Sequence, residues 1–367
     1  MHILHVITSL RAGGAERLLT ELLPRLQERG HRVELLLFDG THTPFRAMLE
    51  QQGIPIHTLG CGAWQMHNPL HLFRLRKFLN KHRFDVVHTH NTPCQLLTAL
   101  AAGKEAPILV TTEHNTFNRR RNWPWYRQID RWMYGRYRQV VCVSDETRRR
   151  LVPLPGCESG GPEVTVVPNG IDLTRFVGAE ADPSLRQPDE RARKILLMVS
   201  AFRPQKDQPT LIRAMRQLSD DYRLWLVGDG PLRAACEKLA GELHLSEKVR
   251  FWGVRSDIPE LLATADVVVL ASHYEGMPLS GIEGMASGKP FVASDVEGLH
   301  ELVSGAGELV PPADPAALAG RIRQLCEDRD SAARVAARCR ERAMQYAIGQ
   351  TVAGYERIYT DLAHRAM

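Results

Sequence analysis

The chain has 367 residues, 44% of them hydrophobic and 24% charged, with a formal net charge of +5. This is long enough for two ordinary domains with a core each, and no apolar run reaches the roughly 18–20 residues of a membrane span. Seven scattered cysteines without a CxxC pair exclude a disulfide frame or a zinc site and fit the reduced thiols of a cytosolic protein.

His2–Ser9 reads as a buried strand from the outset, with no basic n-region or cleavage site, so a signal peptide is not expected. Gly13 and Gly14 follow at its carboxyl end and open a helix over 16–28, a tight turn where a ligand can approach backbone. The pattern is not GxGxxG, which removes a dinucleotide-dependent dehydrogenase. Further strand–helix pairs follow: strands at 33–38, 54–59, 84–90 and 108–112, and helices at 70–81 and 94–102. Strands alternating with helices predict a parallel sheet covered on both faces, with ligands beyond the carboxyl strand ends. Gly13, Gly14, His90 and His114 fall at such ends. His90 reads equally well as a hydrogen-bonded structural histidine, whereas His114 leads into a polar loop and is the stronger candidate.

Residues 117–138 (FNRRRNWPWYRQIDRWMYGRYR) hold seven arginines, three tryptophans and three tyrosines against one acid. On a helical wheel Arg127, Arg131, Tyr134 and Arg138 share a stripe, with Tyr126, Ile129, Met133 and Tyr137 opposite. Arginine with Trp or Tyr on an amphipathic helix suits an anionic membrane surface. The same composition could take single-stranded nucleic acid, or simply pack its aromatic face on the sheet. Residues 70–84 form a second basic amphipathic stretch. A strand at 139–144 and the turn-rich PLPGCESGGP come next, then a short strand at 164–167 and the turn 168–172, where a domain boundary is expected. Residues 178–193 read as an exposed connection.

A second strand–helix series begins at 195–201, followed by Arg203 and Lys206 and a helix over 208–218. Strands at 222–227 and 249–252 lead into glycine turns at Gly228 and Gly253. The run ADVVVLA, 265–271, empties into SHYEGMPLSGIEGMASGKP. There Glu275 and Gly276 lie in a loop, a helix starts near Leu279 or Ser280, and Glu283 is placed in its first turn. Gly281, Gly284 and Gly288 are expected to keep that backbone open to approach. A helix start offers unpaired N–H groups and positive partial charge to a phosphate, Arg203 and Lys206 would clamp a diphosphate, and the carboxylates would accept from sugar hydroxyls. Segments 315–327, 330–346 and 350–366 read as helices. The result is two doubly wound α/β domains with a cleft between their carboxyl edges as the default site.

With these motifs in place, the chain resembles a retaining, nucleotide-sugar-dependent glycosyltransferase of the GT-B fold, family 4 (glycosyl transferases group 1). The resemblance runs nearly full length: GGAER, GHRVELL, FDVVHTH, TEHN, VCVS, VPNGID, RPQKD, GDGPLR, EGMPLSGIEGMASGKPFVAS, EGLHELV and PPAD. It implies an acceptor-binding Rossmann-like domain at 1–168, a donor-binding one at 169–345, and a terminal helix at 346–367 packing back toward the first. It also implies catalytic roles for Glu275 at the donor sugar, His114 near the reacting sugar, and Lys206 with Arg203 at the diphosphate. Arg203 replaces an arginine that many relatives carry five residues before the lysine, where this chain has Ala201. Gly13, Gly14, Gly228, Gly276, Met277, Pro278 and Leu279 would line the donor, Glu283 the ribose hydroxyls, and Val254 and Arg255 the base.

The expected partners are a UDP- or GDP-sugar, a glycan or lipid-linked acceptor and an anionic membrane, but no nucleic acid. Arg119, Arg120, Arg121, Trp123, Trp125, Arg127 and Arg131 are the membrane or acceptor candidates, on the inner face of the cell membrane. No metal or other cofactor is expected, the one DxD triplet (328–330) reading as surface charge. The alternatives are a nucleotide-sugar epimerase and a non-catalytic sugar-nucleotide-binding protein.

Overall fold

A computed structural model describes residues 1–11, 13–62, 64–65, 68–103, 107–116, 126–153 and 161–365. They form two compact units: Met1–Gly170 with Ile348–Met367, and Ile171–Ala347.

In the first unit, strands β1 (His2–Ile7), β2 (Arg32–Leu37), β3 (Ile56–Thr58), β4 (Val86–His90), β5 (Ile108–Glu113), β6 (Gln139–Cys142) and β7 (Glu163–Val166) alternate with helices. The helices are α1 (Gly14–Glu28), α2 (Pro44–Gln51), α3 (His71–Lys81), α4 (Thr92–Ala101), α5 (Tyr126–Tyr134) and α6 (Asp145–Leu151). The sheet runs β3-β2-β1-β4-β5-β6-β7, parallel throughout. Strand order therefore reverses between β1 and β4, which in such sheets marks the ligand crevice. Buried apolar side chains such as Ile3, Leu35 and Val86 fill the strands, as a sheet covered on both faces requires.

The second unit repeats the plan with β8 (Lys194–Val199), α7 (Gln208–Ala214), β9 (Tyr222–Val227), α8 (Arg233–Glu242), β10 (Val249–Gly253), α9 (Ile258–Thr264) and β11 (Val267–Leu270). It continues with α10 (Leu279–Ala286), β12 (Phe291–Ser294), α11 (Leu299–Val303), β13 (Glu308–Val310), α12 (Pro315–Glu327) and α13 (Arg329–Ala343). The order β10-β9-β8-β11-β12-β13 puts this unit's reversal between β8 and β11. The last helix, α14 (Ile348–His364), belongs to the first unit. Its Tyr359 hydroxyl meets His88 Nδ1 at 2.6 Å, and its Tyr355 hydroxyl lies 3.0 Å from Thr112 Oγ1.

Residues 178–193 are largely exposed, as expected, but the segment is anchored. Two short 3-10 turns form there, and Glu190 is buried, accepting from Trp225 Nε1 at 2.8 Å. Arg186 donates to Thr264 O at 2.9 Å and pairs with Asp266. The polar residues are the segment's anchors, because a buried carboxylate needs partners that only the sheet provides.

Candidate active site

The second unit's site is built on its two central strands. After β8 the chain turns through Arg203–Lys206, with the Lys206 amide donating to Arg203 O at 2.9 Å. Lys206 then bridges Ser272, just beyond β11, and the Asp207 amide donates to Ala271 O at 3.0 Å. This pinned crossing puts the Lys206 ammonium on Glu275, with both side chains largely buried. Ser272 Oγ donates to the same carboxylate at 2.7 Å, and Gln205 Nε2 lies 3.4 Å from its other oxygen. A carboxylate in so little water is tolerable because a full charge and neutral donors replace it. Arg203 stands exposed on the turn.

Glu275, Gly276, Met277, Pro278 and Leu279 are all buried. Their loop is held from below by Gly298, at the start of α11: a Cβ there would sit 2.4 Å from Gly276 O and 2.5 Å from Glu275 O. Helix α10 then begins at Leu279 without a side-chain cap, leaving its first N–H groups to other acceptors. Two expectations change here. Glu283 is the fifth residue of α10 and lies beyond the first turn, because the helix starts at the earlier of the two candidate positions. Gly281 and Gly284 let the helix lie close on its own unit, not on a ligand: added Cβ atoms would meet Leu302 at 2.9 Å and Phe291 at 2.8 Å.

The other donor candidates sit at the neighbouring ends of β9 and β10, where the Gly228 amide donates to Gly253 O at 2.8 Å. Gly228 packs on backbone, 2.2 Å between an added Cβ and Ser200 O, at φ +132°. Val254 is exposed. Arg255 Nε donates to Asp257 at 2.8 Å, with its guanidinium over the Trp252 ring.

In the first unit, Gly13 caps α1 from extended backbone and Gly14 opens it, beside the β1–β4 reversal. Histidines are gathered on the central strands. His5 Nδ1 lies 3.0 Å from His90 Nε2, and His90 Nδ1 lies 3.0 Å from His114 Nε2. His88 spends both nitrogens, on Tyr359 and on Thr112 Oγ1 at 2.7 Å. His5, His88 and His90 are fully buried and His114 is partly so. Burial lowers all four from the usual histidine range, His5 to about 3 and His114 to about 4, so they are neutral at pH 7. His5, His88 and His90 each have a nitrogen within 4.8 Å of the others, a spacing a metal could use. Hydrogen bonds within the network already engage every one of these nitrogens except His5 Nε2.

His5, Ser272, Gln205 and Gly298 were not singled out by the sequence. Only the H-x-H of β4 carried a signal, since period 2 puts His88 and His90 on one face. Glu113, next to His114, proves structural: it accepts from Gln95 Nε2 at 2.6 Å and from the Tyr134 hydroxyl at 2.7 Å. Tyr134 therefore lies in the core, not on the cationic stripe. Arg127 and Arg131 are exposed, while Met133 and Tyr137 are buried. The remaining membrane or acceptor candidates, Arg119, Arg120, Arg121, Trp123 and Trp125, lie outside the described residues.

Comparison with solved structures gives the class. Anabaena HepE, crystallised with UDP and glucose, matches with a TM-score of 0.85 at 24% identity, over 98% of this chain and 100% of that one. The fold is thus GT-B, the fold of glycosyltransferases. The family model "Glycosyltransferase Family 4" matches residues 12–175, and "Glycosyl transferases group 1" matches 183–343. The MMP alpha-(1->4)-mannosyltransferase of Mycolicibacterium hassiacum is 32% identical over 76% of this chain and 72% of its own length. The phosphatidyl-myo-inositol mannosyltransferase of Mycolicibacterium smegmatis is 28% identical over 95% and 90%. The chain belongs to glycosyltransferase family 4, whose members here include enzymes of polysaccharide and glycolipid synthesis.

Proposed function

We propose that this chain is a retaining, metal-independent hexosyltransferase. It moves a sugar from a UDP- or GDP-sugar to a glycan or lipid-linked acceptor, working from the cytoplasmic side against an anionic membrane. The observation that carries this reading is the buried Lys206–Glu275 pair beside the uncapped start of α10. An ammonium has three donors, so Lys206 keeps Glu275 while facing a phosphate. The start of α10 adds N–H groups and positive partial charge. Glu275 accepts from donor-sugar hydroxyls and Glu283 from the ribose. The sugar–phosphate bond lengthens, an oxocarbenium-like sugar forms, and the departing phosphate oxygen takes the acceptor's proton on the same face. Stabilising the leaving diphosphate is then the main task of Lys206, with Arg203 reaching in from its turn, and His114 lies near the reacting sugar. The Mycolicibacterium smegmatis relative's phosphatidyl-myo-inositol acceptor and the exposed arginines of α5 favour a lipid-linked acceptor.

The test is turnover of a panel of UDP- and GDP-sugars with lipid and glycan acceptors, with product anomer read by NMR and chelator present in one arm. Lys206→Ala is expected to lower kcat by about 10²–10³, as loss of a preorganised charge-stabilising donor does. An inverted product, dependence on added metal, or full activity in Lys206→Ala overturns the reading.

A further inference from the structure

We propose that His90 and His5 are positioning residues that act through His114, holding it in the tautomer with its proton on Nδ1. This rests on the reading that His114 lies at the reacting sugar.

The three rings come from adjacent strands β1 and β4 and the end of β5, and two N···N contacts of 3.0 Å join them. Each contact needs one proton, and a neutral imidazole has only one. Only two arrangements satisfy both contacts. In one, every ring carries its proton on Nδ1: His5 donates to His90, His90 donates to His114, and His114 keeps an Nδ1–H to offer. In the other, every proton sits on Nε2 and the donation runs backwards from His114.

The inner end decides between them. Buried His5 Nε2 has no hydrogen-bond partner among the described residues. The first arrangement leaves a lone pair there, the second an N–H. Among buried backbone groups orphaned donors are rarer than under-used acceptors; carried over to the ring nitrogen, that preference polarises the chain outward, toward His114. Burial keeps all three rings neutral, which the proton count requires.

The experiment uses the full chain labelled with 15N-histidine, and imidazole 15N shifts assign each tautomer. The expected wild-type result is a protonated Nδ1 and a bare Nε2 at His114, with the same pattern at His90 and His5. In His90→Leu the His114 tautomer population should shift. Its kcat should fall by about tenfold or more through loss of orientation, with donor KM held within about twofold. His90→Asn, which keeps an amide donor near the Nδ1 position, should restore most of both signals. His5→Leu should act in the same direction. A wild-type His114 protonated on Nε2 overturns the proposal without any variant, so misfolding of His90→Leu cannot shelter it. An unchanged His114 tautomer in a folded His90→Leu overturns it as well. Full transfer by His114→Ala instead overturns the parent reading, and the tautomer spectrum alone then decides whether the array is polarised toward His114.

Discussion

Gly298→Ala tests whether the donor loop is held from behind by backbone packing. Gly298 sits at φ +79°, and a Cβ there would lie 2.4 Å from Gly276 O and 2.5 Å from Glu275 O. Both are main-chain atoms and cannot rotate away. The Glu275 amide also donates to Glu297 O at 3.2 Å, so the two segments move together. Left-handed backbone costs an L-residue about 1–2 kcal/mol, and relieving an overpacked contact about 1–3 kcal/mol more. The sum, about 2–5 kcal/mol, should appear as a lower urea midpoint with unchanged m-value, and displacement of Glu275 should raise donor KM. Gly320→Ala is the internal control. It lies inside α12 with no atom within 4 Å of an added Cβ, and should gain about 0.5–1 kcal/mol from helix propensity. If Gly298→Ala unfolds at the wild-type midpoint with wild-type donor KM, the loop does not depend on that contact.

Acid should destabilise the first unit earlier than its carboxylates alone predict. His5, His88, His90 and His114 are depressed in the folded state, so the unfolded chain binds more protons. Their stabilising contribution is complete above the unfolded value near 6.5 and is lost as pH falls toward 4, by about 1.4 kcal/mol per pH unit for each proton taken up. A urea midpoint that stays flat between pH 7 and 5 would refute this. Tyr359→Phe should cost about 1–3 kcal/mol, because it leaves buried His88 Nδ1 without its partner; an unchanged midpoint means that α14 is held by packing alone. Arg127→Gln with Arg131→Gln should weaken flotation with phosphatidylserine vesicles by about 1 kcal/mol per charge, and equal binding to neutral vesicles would count against the membrane role.

The alternation of apolar runs with amphipathic helices was legible because periodicity is local, and it led to two parallel-sheet units and their candidate functional edges. Lys206, Glu275 and His114 were likewise reachable as residues at strand ends. Errors arose where a local rule met a partner distant in sequence. The wheel placed Tyr134 with Arg127 and Arg131, all within α5, but a buried acceptor, Glu113, draws the tyrosine hydroxyl inward. In the largely exposed stretch 178–193 the anchors Arg186 and Glu190 were not legible, because their partners, Asp266 and Trp225, lie elsewhere in the chain.

By itself the sequence determined the class of fold and the family motifs and pointed to candidate residues at strand ends, since each is written in contiguous residues. Only the tertiary structure decided which of those ends meet. Lys206 and Glu275 are 69 residues apart and become partners because β8 and β11 are neighbours. His5, His90 and His114 become one hydrogen-bonded array because β1, β4 and β5 lie side by side. Strand order and the depth of burial at each contact are properties of the packed sheets, and no local pattern encodes them.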